Sequence, residues 1–394
     1  RNKGLPENKP YLKVGNVLKA IEKIAKNNRK TSNARFIAIT GSVGKTGTKE
    51  MFKEAFKKIG KIYASEGSFN NHIGVPLSLC KVSADTEYSI LELGMNKLGE
   101  ISDLSKIVMP EVGIITAIEK SHLSGLKSLK NIVKAKCEIL QSLSKVGCFI
   151  FNNDTNYSDY MFAKAKQHKI KNIISYGFKN TSDVRLLNYK VVNNNYHIKA
   201  NVLGSQIGWK MPLVNEHWLY NSLSVIASAF FFQLNLKKVL SGLGTFKVPV
   251  GRGNKKNYNL NGTKFTIIND SYNCNPASLK SSLLALSKEI VEGKKILILG
   301  DMLELGKNSL KLHLSFKDDI ISSGAKILIT KGTYMQELSK LIPKNIEKYH
   351  FEKVEHLAKK ILEKVSINDL ILIKGSNSIG LNSVIKKLES SKIK

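Results

Sequence analysis

From residue 35 onward, short apolar runs recur without the apolar–polar alternation of a half-exposed strand: Phe36–Thr40, Tyr88–Glu92, Gly113–Thr116 and Gly147–Asn152. Strands of that kind are buried on both faces. Between them lie segments with helical apolar spacing, from Lys45 to about Ile59 and from about Ser128 to Leu143. The pattern predicts a mostly parallel sheet covered by helices on both sides. It then changes. Val184–Val192 and Tyr196–Val202, broken by Asn193-Asn194-Asn195 and Gly204, predict antiparallel hairpins, and a helix is expected from about Leu219 to Gln233. Gly242–Lys256 is rich in glycine and basic residues and marks a division, placed at 248/249. Beyond it Phe265–Asn269, Lys295–Leu299, Lys326–Thr330 and Leu370–Lys374 alternate with helices again. The expected fold class is α/β: a central domain (35–248) with a mostly parallel sheet, then a smaller Rossmann-like α/β domain (249–394). Residues 1–34 carry one expected helix, Val17 to Lys26, and are too few for a domain.

Composition narrows the class. A chain of 394 residues with 42% hydrophobic and 24% charged residues is globular, not disordered. No apolar run approaches the roughly 20 residues of a membrane span; Val225 to Leu234 reads as a buried helix. The polar N-terminus shows no signal peptide. Cys80, Cys137, Cys148 and Cys274 form no C-x-x-C pair and read as free thiols in a reducing cytoplasm. The formal net charge is +31. Such a charge suits nucleic acid, but the lysines are spread along the chain and no nucleic-acid module accompanies them. The expectation is no nucleic acid, no stable membrane insertion, and highly anionic small substrates.

The densest chemistry is in Phe36-Ile-Ala-Ile-Thr-Gly-Ser-Val-Gly-Lys-Thr-Gly-Thr48. A strand runs into a glycine turn and then a helix opening with lysine and threonine. Turn amides and the helix N-terminus offer N–H donors to phosphate, Lys45 adds a charge, and the Thr46 hydroxyl suits Mg²⁺. Ile39 stands where the longer P-loop has a glycine, so this is the shorter G-x-x-G-K-T form. Gly41, Ser42, Val43, Gly44, Lys45, Thr46 and Gly47 form the expected triphosphate cradle. Glu92, ending an apolar strand, is an expensive carboxylate unless it meets a metal or cation. His122 follows the Gly113–Thr116 strand; Lys136 and Glu138 sit on an expected helix, where alone they would be a solvated face. Arg252, between two glycines, is placed to swing a guanidinium onto phosphate. In Asp270–Pro276 an aspartate can bond ribose hydroxyls, and asparagines can grip a loop or a base edge.

These pieces resemble the Mur ligase family. The matching segments are ITGSVGKTGTKEM (39–51), SFNNHIGVPLSL (68–79), LELGMNKLGEI (91–101), SHLSGLKSLKNIVKAKCEIL (121–140), DSYNCNP (270–276), LGDMLELG (299–306) and IKGS (373–376), in order over nearly the whole chain from residue 35. FNN-x-IGVPL, DSYN-x-NP and LGDMLELG point to the members that join D-alanyl-D-alanine to UDP-N-acetylmuramoyl-tripeptide. The resemblance implies an ATP-dependent amide ligation through an acyl phosphate in cytoplasmic peptidoglycan synthesis, carried out by a monomer. It implies that Lys45 and Thr46 hold phosphates and Mg²⁺, that Glu92 is a metal ligand, and that His122 ligates a second Mg²⁺. It implies a carbamylated Lys136 as a further ligand, Asn221 at adenine, Arg252 at the γ-phosphate and Asp270 at the ribose, with Tyr272 and Asn275 beside the nucleotide. Within this class the alternatives are another Mur-type or folylpolyglutamate-synthase-like amide ligase, or an ATP-binding remnant without full activity. The family carries a UDP-sugar-binding domain before the phosphate loop, and only about 34 residues precede Arg35 here, so residues 1–34 are expected to be its remnant or a linker. Ala117 replaces a common Asn, Gly47 a common Thr and Asn377 a common Arg, while Asn215 and Trp218 alter the motif around His217.

Overall fold

The computed structural model describes residues 11–119, 126, 128–193, 195–212, 216–260 and 262–390. Two sheets carry the chain. Through the first run β1 (Arg35–Thr40), β2 (Ile62–Ala64), β3 (Tyr88–Glu92), β4 (Val112–Ile115), β5 (Cys148–Asn152), β6 (Asn172–Gly177), β7 (Val184–Val192), β8 (Asn195–Val202) and β9 (Ser205–Pro212). Their order is β2-β3-β1-β4-β5-β6-β7-β8-β9. Every pairing from β2 to β7 is parallel, and the β7–β8–β9 pairings are antiparallel. The chain thus leaves β1 for β3 on one side and β4 on the other, a reversal that opens a crevice at the carboxyl end of β1.

The accompanying helices are α1 (Val17–Thr31), α2 (Lys45–Phe56), α3 (Gly74–Cys80), α4 (Glu100–Val108), α5 (Leu129–Cys137), α6 (Ser158–Gln167), α7 (His217–Phe231) and α8 (Leu236–Gly244). Strand β1 explains why both faces are covered. Its Ile37 and Ile39 enter a core with Met51, Phe52, Leu219 and Leu223 from α2 and α7. Its Phe36 and Ala38 enter the opposite core with Val75, Ile101, Ile132 and Met161 from α3 to α6. Successive side chains alternate faces, so an all-apolar strand needs two cores.

The second sheet contains β10 (Asn254–Leu260), β11 (Thr263–Asp270), β12 (Lys295–Gly300), β13 (Ile327–Lys331), β14 (Glu347–His350) and β15 (Leu370–Lys374), ordered β10-β11-β15-β12-β13-β14. Only the β10–β11 edge is antiparallel. Its helices are α9 (Pro276–Lys288), α10 (Ser309–Leu314), α11 (Lys317–Ser322), α12 (Thr333–Lys340), α13 (Val354–Lys364) and α14 (Asn382–Ser390). Two further cores cover its faces. The α/β class and the interleaving of strands and helices expected above are what the chain adopts. The helix expected over Ser128–Leu143 is α5 followed by a tighter 3₁₀ turn, Glu138–Gln141. That turn aims the Glu138 carboxylate at the start of α4, where it accepts the Gly99 and Ser102 amides at 2.7 and 3.2 Å. Glu138 is therefore a helix cap, not part of a solvated face.

Helix α1 runs to Thr31, longer than expected, and is pinned by polar residues to the carboxyl ends of α3 and α4, with Ala25 in the core beside them. Asn28 donates to the carbonyls of Leu79 and Val82, and Arg29 to those of Val108 (2.6 Å) and Met109 (2.8 Å). The Arg29 guanidinium lies 4.0 Å over the Phe36 ring. Removing this anchor leaves two carbonyls without their donor, a cost of about 1–3 kcal/mol. Arg29→Ala is expected to lower the melting temperature by about 2–6 °C, read by thermal denaturation; an unchanged transition would mean that α1 is not held this way.

Candidate active site

The carboxyl ends of β1, β3 and β4 face those of β11, β12 and β15 across a cavity of ≈ 930 Å³. The phosphate loop forms one wall. Gly41 sits at φ +149°, and a Cβ there would lie 2.0 Å from Thr116 Oγ1. Thr116 takes that room to donate to the Val43 carbonyl at 2.6 Å. Ser42 is tied down twice, its amide to the Ala117 carbonyl (2.7 Å) and its hydroxyl to the Glu119 carbonyl (2.9 Å). Position 117 thus acts through its backbone, which Ala supplies as well as Asn. Gly44, left-handed at φ +90°, opens α2 without a side-chain cap, leaving amides turned toward the cavity.

Thr46 is the junction of the site. Its hydroxyl donates to Glu92 Oε2 at 2.8 Å and accepts from Arg252 Nη2 at 2.9 Å. Asn70 donates to the other Glu92 oxygen at 2.8 Å. Glu92 is 2% exposed, and these bonds are what make a carboxylate tolerable there. Arg252 reaches the loop from the segment joining the two sheets, with its guanidinium 3.9 Å over the Tyr272 ring. Stacking of this kind holds a planar cation in place. Lys45, partly exposed on the wall, donates to the Gly41 carbonyl at 2.7 Å. Its pKa is pulled below the usual lysine value by burial and further by Arg252, against the opposing pull of Glu92 and Glu304.

Lys136 does not line the cavity. It lies wholly buried on α5, and its Nζ has no hydrogen-bond partner. Burial holds its pKa well below 10.5, helped by the Lys45 charge and opposed by Glu92 and Glu138. Burial of this kind favours the neutral, nucleophilic form of the amine. His122 lies outside the described residues. Among the described residues no three His, Cys, Asp or Glu side chains cluster as a metal site.

From the second sheet, Asp270 and Lys374 are partners in the parallel register of β11 and β15, with Nζ 2.6 Å from Oδ2. Ser282 donates to the same oxygen at 2.7 Å. The motifs assign Lys374 no role by themselves; its signal is a lysine ending an apolar strand at Ile-Lys-Gly-Ser. Asn275 lines the cavity, but its side-chain oxygen caps α9 by accepting the Ser278 amide (2.9 Å). Asn221, on α7, is buried with an unpartnered Nδ2 and presents Oδ1 3.2 Å from where a Gly44 Cβ would begin. Tyr272 and the 42–47 loop also line the cavity.

Two unusual residues turn out to be one feature. Trp218, 2% exposed, lays its ring over Gly47 so closely that a Cβ there would meet Cζ3 at 2.2 Å. The first turn of α2 accepts glycine because α7 presents tryptophan.

Comparison with known proteins fits this layout. Residues 39–229 match the family model of the Mur ligase middle domain, and residues 255–377 that of the Mur ligase, glutamate ligase domain. Over 372 residues the chain is 35% identical to the UDP-N-acetylmuramoyl-tripeptide–D-alanyl-D-alanine ligase of Rickettsia prowazekii, covering 94% of this chain and 82% of that one. The chain belongs to the Mur ligase family. Two solved Mur ligases share its fold. MurF from Acinetobacter baumannii has a TM-score of 0.83 at 24% identity, over 97% of this chain and 84% of that one. MurF from Thermotoga maritima in complex with ADP has a TM-score of 0.81 at 21% identity, over 99% and 87%. The chain is an ATP-dependent ligase of this family.

Two outcomes follow for this Mur ligase. Gly47→Thr forces a side chain into Trp218, at a cost of about 1–3 kcal/mol. It should lower the melting temperature and weaken ATP binding by calorimetry, and adding Trp218→Leu should recover most of both; a single variant as stable as the parent would refute the clash. Lys136→Met should raise stability in CO₂-free buffer, because it removes a buried unpartnered amine worth about 1–3 kcal/mol. Below its folded pKa, Lys136 exerts its full destabilising effect. The unfolded state binds the extra proton between that pKa and 10.5, so stability rises with pH across the window. The advantage of Lys136→Met should therefore shrink as pH approaches 10.5, followed by denaturant titration.

Proposed function

We propose that this chain joins D-alanyl-D-alanine to UDP-N-acetylmuramoyl-tripeptide, using ATP, for cytoplasmic peptidoglycan synthesis. The observation that carries the reading is the convergence on Thr46, where Arg252 from the joining segment meets Glu92 and the phosphate loop. Two anions, the tripeptide carboxylate and the γ-phosphate, have to approach each other, and a closed cleft lined by cations favours that encounter. A carboxylate oxygen of the tripeptide attacks the γ-phosphorus and ADP leaves. The dipeptide amine then attacks the acyl carbon, the nitrogen loses its proton, and phosphate departs with the bridging oxygen.

In this reading the 41–47 turn and Lys45 cradle the β- and γ-phosphates, and Arg252 neutralises the transferred phosphoryl group while Tyr272 steadies it. Asn221 is assigned to adenine, and Asp270, held by Lys374 at 2.6 Å, to the ribose, beside Asn275. The chain divides into a short segment (1–34), a nucleotide-binding domain (35–248) and an acceptor-binding domain (249–394), and works as a monomer without nucleic acid. Among the described residues no helix is long and apolar enough to cross a membrane.

The donor set suits Mg²⁺: a hydroxyl at Thr46, a buried carboxylate at Glu92 and, beside them, the unpartnered amine of Lys136. A neutral lysine adds CO₂ and loses a proton to give a carbamate, turning a misplaced cation into an oxygen ligand. Thr46, Glu92, His122 and carbamylated Lys136 would hold two Mg²⁺ ions, whose chemistry is to neutralise phosphate charge.

The test is phosphate release from ATP with UDP-linked tripeptide, with and without D-alanyl-D-alanine. Release requiring both establishes the ligase, and dependence on a single amino acid instead would move the chain to a sister activity. Lys136→Ala should lose ligation by at least about 100-fold, with bicarbonate restoring part of it; undiminished turnover would refute the carbamate.

A further inference from the structure

The segment Asp301–Gly306 (Asp-Met-Leu-Glu-Leu-Gly) leaves β12 and is used by no step above. Its Leu303 and Glu304 line the cavity shared with Lys45 and Arg252. Glu304 adopts φ +63°, a left-handed conformation that costs a residue with a Cβ about 1 kcal/mol or more unless its surroundings impose it. The surroundings do. The Asp301 carboxylate accepts the Met335 and Tyr334 amides at 2.8 and 3.2 Å, fastening the loop to the start of α12. The Met302 amide donates to His313 Nε2 at 2.9 Å, and the Leu303 amide to Ser376 Oγ at 2.9 Å.

His313 is wholly buried on α10. Because Nε2 accepts an amide, the proton belongs on Nδ1, which faces the Ser309 carbonyl at 2.6 Å. Burial keeps the ring neutral by lowering its pKa, against the Ser309 carbonyl and Asp301. Three consecutive residues are thus each bolted to a different element, and the next, Glu304, lines the cavity. Its charge is felt at Lys45.

The phosphate side of the cavity offers cations, which suit ATP and the tripeptide carboxylate. A dipeptide acceptor enters as an ammonium, which those cations repel. We propose that Glu304 receives the α-ammonium of the acceptor dipeptide and that His313 is the positioning residue that fixes the loop carrying it. This rests on the ligase reading above. It gives the loop a substrate class: small peptides with a free N-terminal amine.

Steady-state kinetics of Glu304→Gln should show the KM for D-alanyl-D-alanine raised about 10- to 100-fold, the usual worth of a charge-assisted hydrogen bond. The KM values for ATP and the UDP-linked tripeptide should stay within about twofold. Propionyl-D-alanine, the same dipeptide without its amine, should inhibit wild type and variant with equal Ki. His313→Leu should raise the same acceptor KM selectively, and His313→Gln, which keeps an acceptor for the Met302 amide, should restore part of it. An unchanged acceptor KM in Glu304→Gln, an equal rise for all three substrates, or an altered Ki for propionyl-D-alanine would overturn the assignment while leaving the ligase intact. A wild-type protein that ligates no D-alanyl-D-alanine would instead overturn the reading beneath it.

Discussion

Glu92 is a charged group at the end of a strand whose neighbours are apolar, and the site is organised around making it tolerable. One oxygen accepts a hydrogen bond from Thr46, in the first turn of α2; the other accepts one from Asn70, in the loop before α3. Because Thr46 also accepts from Arg252, the same carboxylate indirectly tethers the segment leading into the second sheet. Both Glu92 oxygens and the Thr46 hydroxyl have partners in this network, and bonds of that kind stiffen a buried polar site. Elements separated by about 200 residues meet at one hydroxyl, which fixes the height of the cavity between the sheets.

Around that junction the charges are arranged in opposition. Lys45 and Lys136 repel across the back of the phosphate loop, and both are eased by Glu92. Lys374 is already paired with Asp270, so it adds little to the cation excess. The protein leaves Lys136 unpartnered although its interior has polar groups to spare. The proposed carbamate would relieve the cost of that burial by giving the nitrogen a partner from outside the chain.

Much of this was legible in the sequence where physical signals are local. Apolar runs located β1, β3, β4, β5, β11, β12, β13 and β15, and the turn before Lys45 located the phosphate loop. The edge strands β2, β9, β10 and β14 and the interior β6 are not named there; short or edge strands carry too little apolar pattern to stand out. Asn70, Lys374 and Glu304 gained roles only in three dimensions: their partners lie 22, 104 and, for the Lys45 wall, more than 250 residues away. Asn275 shows the reverse. Its residue type suggested a ligand contact, while the capping geometry of α9 claims its oxygen.

The packing of Trp218 on Gly47 gives the nucleotide loop a history-dependent freedom. Neither residue touches the other through a bond that chemistry requires, yet each forbids changes at the other. A lineage carrying the tryptophan cannot regain a side chain at 47 in one step, whereas one that first trims the indole reopens that route. The same loop sequence transplanted into a relative would therefore behave differently, according to what its α7 helix presents. Two positions 171 residues apart (218 minus 47) are thus constrained as one unit.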